Sequence, residues 1–125
     1  MVLVDTSVWV AHLRDGKIGL EKLLCNGHAA SHAFIIGELA CGNLKNRAEI
    51  LSYLCALPLV TTAEHDEVMN FINNHSLMGK GLGYIDMHLL AAALLTDTAL
   101  WTLDKKMGEA ATSLGLAYAL NPSPD

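Results

Sequence analysis

Basic residues are scarce in this chain: 8 lysines and arginines face 13 aspartates and glutamates, for a formal net charge of −5 over 125 residues. That balance argues against a nucleic-acid binder working through a basic face alone, since phosphate contacts normally appear as a positive surface. The conflict eases if several of the acids hold metal cations and so do not confront a phosphate as bare charge. Cysteine is also rare. Cys25, Cys41 and Cys55 are odd in number and lack the close paired spacing of a zinc knuckle, which argues against a metal-ligand role. Each stands in an apolar, helix-like stretch, and they are expected to be reduced thiols within the core. The longest apolar run, Leu89 to Leu95, falls far short of the roughly 20 residues a membrane span needs. Met1-Val2-Leu3-Val4-Asp5 puts an acid where a secretory signal would carry a basic region, so a cytoplasmic protein with no membrane association is expected. Internal repeats, low-complexity tracts and linkers are absent.

What the chain does have is apolar content, 52% of residues, enough for a sizeable core in a single domain of ordinary size. That domain is expected over residues 1–120, with 121–125 (Asn-Pro-Ser-Pro-Asp) a frayed tail. Val2-Leu3-Val4 is a short apolar run suited to a buried parallel strand. Thr6 to Arg14 follows as a helix with Val10, Leu13 and Trp9 turned inward, broken at Asp15-Gly16. Further helices are expected over Gly19–Cys25, Phe34–Gly42, Arg47–Ala56, Glu64–Leu77, Ile85–Leu95 and Lys105–Leu114. The Ile85–Leu95 helix is apolar nearly all round and should be buried. Strands are expected at His28–His32, Leu57–Val60, where an edge tolerates Pro58, Ala99–Thr102 and Leu116–Leu120. Strands alternating with helices at this spacing predict an α/β fold with a parallel sheet covered on both faces.

In such a sheet, ligands bind beyond the carboxyl ends of the strands. Two acids fall there, Asp5 after Val2-Leu3-Val4 and Asp104 after Leu100-Trp101-Thr102. Each also precedes a helix and could merely cap it. Their joint position at one rim favours a site. Glu38 lies among Ile35, Ile36, Leu39 and Ala40, surroundings that leave it no broad solvated face, and a buried carboxylate needs a cation or a hydrogen-bonded partner. Asp86 heads the all-apolar helix behind a glycine-rich loop, where capping or the helix dipole is the competing explanation. Glu21, Glu49, Glu64, Asp66, Glu67 and Glu109 lie on polar helical faces, and Asp97 sits in a turn. Ser7 and Thr102 bracket the rim. Both could simply hydrogen-bond local backbone, or Ser7 could orient a water while Thr102 supports Asp104.

Carboxylate oxygens are hard ligands that select Mg²⁺ or Mn²⁺. One or two such ions per site suit phosphodiester hydrolysis, where they activate water and offset charge on the leaving oxygen. No histidine or cysteine arrangement competes: His28 and His32 lie in a strand-like segment where their spacing would not converge them. Gly79-Lys80-Gly81-Leu82-Gly83 lacks the spacing of a phosphate-cradling loop and is taken as a flexible loop whose Lys80 could touch an RNA backbone. A receiver-type phosphoacceptor domain would want two adjacent acids after the first strand and a lysine near the end of a later one. Here Asp5 stands alone and Thr102 occupies the late position.

Val4-Asp5-Thr6-Ser7-Val8-Trp9, Ile36-Gly37-Glu38-Leu39, Gly83-Tyr84-Ile85-Asp86-Met87-His88-Leu89-Leu90-Ala91 and Leu100-Trp101-Thr102-Leu103-Asp104 together resemble the PIN-domain family, and more narrowly the VapC toxins of bacterial toxin–antitoxin pairs. The resemblance runs from Val2 to about Tyr118, with the motifs in order. It implies a PIN-like three-layer α/β/α fold with a short, mostly parallel central sheet, and a Mg²⁺- or Mn²⁺-dependent endoribonuclease. It assigns Asp5, Glu38, Asp86 and Asp104 to an acidic metal site with Ser7 beside it. It also implies a homodimer, a VapB-type antitoxin whose C-terminal tail covers the site, and structured RNA, often tRNA or ribosomal RNA, as substrate. Arg14 matches a basic position common in the family, though a surface charge near a helix C-terminus explains it nearly as well. Some relatives carry a further acid or asparagine after the fourth aspartate, where this chain has Lys105 and Lys106. A one-metal mechanism is compatible with every motif. The alternative function is a catalytically silent RNA-binding or regulatory partner that keeps the fold.

Overall fold

A computed structural model describes residues 1–16 and 18–121. The chain opens with β1 (Val2–Val4), α1 (Thr6–Asp15), α2 (Leu20–Cys25), β2 (Ala29–Ala30) and α3 (Ala33–Ala40). It continues through α4 (Arg47–Ala56), α5 (His65–Asn74), α6 (Tyr84–Leu95), β3 (Ala99–Trp101) and α7 (Lys105–Ser113). The strands form a parallel sheet in the order β2-β1-β3, with Leu3 opposite Ala30 on one side and Leu100 on the other. Helices cover the sheet, giving the expected α/β/α fold. Because the strands are parallel, Val4, Ala30 and Trp101 all end at one rim, and the chain leaves that rim from β1 and β3 through Asp5 and Asp104.

The core follows from burial of β1 on both faces and of α6 over most of its surface. Leu3, Val4, Leu89, Leu90, Leu100 and Trp101 are all essentially inaccessible. From Met87 to Ala93 every residue of α6 is buried, as a helix apolar on all sides requires. Among the described residues no helix is long and apolar enough to cross a membrane.

Three expectations are corrected here. In α1 the buried residues are Val8, Trp9 and Ala11, while Val10 and Leu13 are 45% and 38% exposed. The helix starts directly at the strand end, and this phase turns Val8 and Trp9 to the core. Val10 and Leu13 instead line a surface recess of about 350 Å³ with Leu44 and Ile50. The cysteines are unpaired but exposed rather than in the core. Cys25 and Cys55 occupy the last turns of α2 and α4, and Cys41 ends α3, where the apolar neighbours belong to the opposite helix face. The strands expected at Leu57–Val60 and Leu116–Leu120 shrink to single parallel bridges, Ser31 with Leu59 and Leu100 with Ala117. Pro58 has no N–H to extend the first ladder, and the second ends where the chain turns back, Asn121 N–H donating to the Tyr118 carbonyl at 3.0 Å. The tail expected to fray begins at this anchored Asn121; its remainder lies outside the described residues.

His32 is fully buried and caps α3, its Nδ1 accepting from the Phe34 N–H at 2.9 Å. Burial, helped by the neighbouring His88, lowers its pKa from 6.5 to about 4. Below pH 6.5 the unfolded chain therefore takes up a proton that the folded chain refuses. The His32 contribution to stability is complete above that pH and is lost as pH falls toward 4. Urea unfolding should show about 2 kcal/mol less stability from this residue at pH 5 than at pH 7. His32→Asn, which keeps a capping side chain, should flatten that slope. An unchanged slope would assign it to other groups.

Candidate active site

Asp5 is the best-held acid of the rim. Its N–H donates to the Trp101 carbonyl at 2.9 Å, which ties the end of β1 to β3. It is 7% exposed and its side chain accepts no backbone N–H from the first turn of α1, so the capping explanation does not apply. Instead its Oδ2 accepts two hydroxyl protons, from Ser7 Oγ at 2.7 Å and from Thr102 Oγ1 at 2.8 Å. Those hydroxyls are also acceptors: Ser7 Oγ takes the Leu103 N–H at 3.0 Å and Thr102 Oγ1 takes the Asp104 N–H at 3.1 Å. Ser7 and Thr102 thus lace the ends of β1 and β3 together through one carboxylate oxygen. Thr102, fully buried, supports both Asp5 and the backbone of Asp104.

Asp104 is exposed and does cap its helix, Oδ1 accepting from the Met107 N–H at 2.9 Å. Asp86, half-buried in the first turn of α6, reaches back to the Gly83 N–H with Oδ2 at 3.0 Å. Burial raises its pKa above 3.8, the charges of Asp5 and Asp104 push it further up, and the Gly83 N–H partly opposes them. Asp86 therefore lies within the field of both Asp5 and Asp104. Their repulsion is not relieved by any ion pair among the described residues, where the only pairs are His12–Glu21 and Arg14–Asp15.

Glu38 corrects the sequence reading. It is exposed, because α3 buries only the stripe of Ile35 and Leu39 and leaves Gly37 and Glu38 on the open side. It still comes to the rim, by a contact the sequence did not suggest: Thr6, the residue after Asp5, donates its Oγ1 proton to Glu38 Oε1 at 2.8 Å. Each of the four carboxylates thus commits one oxygen to the protein and keeps the other without a protein partner among the described residues.

The proposed RNA contacts fare differently. Arg14 is exposed at the far end of α1 and pairs with Asp15 at 3.1 Å, about 13 Å along the helix from Asp5. The structure does not bring it to the carboxylates. Lys80 is exposed on the loop before α6, and that loop rests against the first turn of α7. Gly81, at φ +76°, accommodates the Lys106 side chain, whose Nζ would stand 2.6 Å from a Cβ at that position. Lys106, noted in the sequence as standing where some relatives carry an acid or asparagine, thus packs on the loop that leads to α6.

Among the described residues no group of three or more His, Cys, Asp or Glu stands ready to hold a metal ion. In kind and in charge, however, the rim fits a divalent cation. It offers hard carboxylate oxygens, each with one oxygen free of the protein, and a mutual repulsion visible at Asp86 that bound positive charge would offset.

Residues 2–112 match the PIN domain, and the chain belongs to the PIN-domain family. It is 41% identical over 120 residues to Ribonuclease VapC32 of Mycobacterium tuberculosis strain CDC 1551 / Oshkosh, an alignment covering 95% of this chain and 97% of that protein. The H37Rv counterpart of the same name matches equally, at 41% identity over the same shares. The VapC-type resemblance carried by the motifs is therefore sustained along nearly the whole chain.

Proposed function

We propose that this chain, acting as a single domain over residues 1–120, is a VapC-type endoribonuclease toxin. It hydrolyses phosphodiester bonds in structured RNA, tRNA or ribosomal RNA, in the cytoplasm, with Mg²⁺ or Mn²⁺ as cofactor. The observation that carries this reading is Asp5: a buried carboxylate at a strand end, bound by Ser7 and Thr102 instead of capping its helix, whose charge acts with that of Asp104 on Asp86. Similarity to proteins named ribonucleases supports the reaction class. The VapC likeness further implies a homodimer and a VapB-type antitoxin whose tail covers the site.

Asp5, Asp86 and Asp104, with Glu38 at the edge, would hold the cation through the oxygens not committed to the protein. Bound there, it supplies positive charge at the reacting phosphate and an acidified water. The chain's own residues prepare the place. Ser7 and Thr102 fix the Asp5 carboxylate so that it need not reorganise during reaction. The Gly83 N–H sets the rotation of Asp86, and the Met107 N–H that of Asp104. In-line attack of water on phosphorus then breaks the P–O3′ bond and leaves a 5′-phosphate and a 3′-hydroxyl. Incubating the purified chain with total RNA and Mn²⁺, then mapping new 5′ ends, should reveal discrete cuts bearing 5′-phosphates. Intact RNA under these conditions would favour the catalytically silent partner.

A further inference from the structure

Asn121, four residues beyond the bridged Ala117, grips the end of β3 and the Thr102 that follows it. Its Oδ1 accepts the Thr102 N–H and its Nδ2 donates to the Leu100 carbonyl, both at 3.0 Å. One amide side chain thus takes the place of a neighbouring strand on the open edge of β3, satisfying a donor of a fully buried residue. From that same Thr102 the hydroxyl runs to Asp5 Oδ2 at 2.8 Å and accepts the Asp104 N–H at 3.1 Å. The backbone around it is otherwise held on this edge through Leu100, bonded to Leu116 and Tyr118, and by the Trp101–Tyr118 ring contact at 5.2 Å. Leu100 keeps the Tyr118 N–H as a partner if Asn121 is removed. Thr102 N–H has no other partner among the described residues.

We propose that Asn121 is a positioning residue of the carboxylate site: by accepting the Thr102 N–H it fixes the strand end from which Thr102 orients Asp5 and Asp104. This places part of the site's support outside residues 2–112, the span that matches the PIN domain. The inference rests on the ribonuclease reading above, and the two can fail separately.

The geometry separates the two bonds of the amide. Asn121→Asp keeps an oxygen for the Thr102 N–H but sets a second acceptor oxygen against the Leu100 carbonyl in place of the donor, whereas Asn121→Ala loses both bonds. The assay compares both variants with the unmodified full chain, following RNA cleavage in Mn²⁺, Mn²⁺ binding by calorimetry and amide exchange at Thr102. In Asn121→Ala, kcat should fall ~10-fold or more with KM for RNA changed less than ~3-fold, Mn²⁺ should bind more weakly, and Thr102 N–H should exchange at least ~10-fold faster. Asn121→Asp should recover part of each loss. Should Asn121→Ala fold too poorly to assay, Asn121→Asp and Asn121→Ser, whose shorter side chain cannot span the gap, give the same comparison. Overturning results are a kcat for Asn121→Ala within twofold of the unmodified chain, or a Thr102 N–H exchange rate unchanged in that variant. If Asp5→Asn, run alongside, cleaves normally, the carboxylate reading itself has failed and Asn121 has no site to position. Faster Thr102 exchange with unchanged kcat and Mn²⁺ affinity would reduce Asn121 to a structural latch.

Discussion

Asp86→Asn should abolish RNA cleavage while raising the melting temperature of the metal-free protein. The two effects share one cause. Asp86 is half-buried, and burial together with the charges of Asp5 and Asp104 raises its pKa. A carboxyl whose folded pKa lies above its unfolded value is destabilising while charged, and that loss is recovered as pH falls through the folded pKa. Replacing it with a neutral amide removes the repulsion at neutral pH. The amide oxygen can still accept the Gly83 N–H now bound at 3.0 Å. In the proposed mechanism cleavage needs the same negative charge as a cation ligand, so it should drop at least ~100-fold. Melting in EDTA and RNA cleavage in Mn²⁺, measured on one preparation, check both halves. A variant that is both inactive and less stable would mean that Asp86 serves packing or capping, and a fully active one would remove it from the site.

Chelation should have the second large effect. With excess EDTA, cleavage should stop altogether. Adding back Mn²⁺ or Mg²⁺ should restore it and raise the melting temperature, because a ligand that binds only the folded state stabilises it by about 2.7 kcal/mol at 100 times its Kd. The rise should shrink in Asp5→Asn, which removes one ligand charge. Metal also bears on the net charge of −5. The acids at the rim repel a phosphate until a cation arrives, so RNA affinity should follow the same metal titration as cleavage. Full activity in EDTA would contradict the assignment of these carboxylates.

The rim was legible in the sequence because two features there are local. A three-residue apolar run ending in Asp5, and another leading to Asp104, place both acids at strand ends whatever the packing. The all-apolar α6 announces its burial in the same way. The chain left open whether Asp5 caps α1, and only the hydrogen bonds to Ser7 and Thr102 answer that, since the partners are 2 and 97 residues away. Glu38 was misjudged for a physical reason. Apolar neighbours on a short helix do not all have to be buried, and α3 buries just Ile35 and Leu39. The cysteines failed for the same reason, and so did Val10 and Leu13, whose helix phase is set by where β1 stops. The Thr6–Glu38, Lys106–Gly81 and Asn121–Thr102 contacts depend on how distant elements dock. No periodicity along the chain encodes them.

If the rim carboxylates carry RNA cleavage, the 5′ ends produced from total RNA in Mn²⁺ by the unmodified chain and by Asp5→Asn will differ. The unmodified chain should give discrete cuts with 5′-phosphates and Asp5→Asn none above background at equal concentration, with both proteins folded. Cleavage by Asp5→Asn at the unmodified rate, or cuts leaving 5′-hydroxyls, would contradict the proposed mechanism.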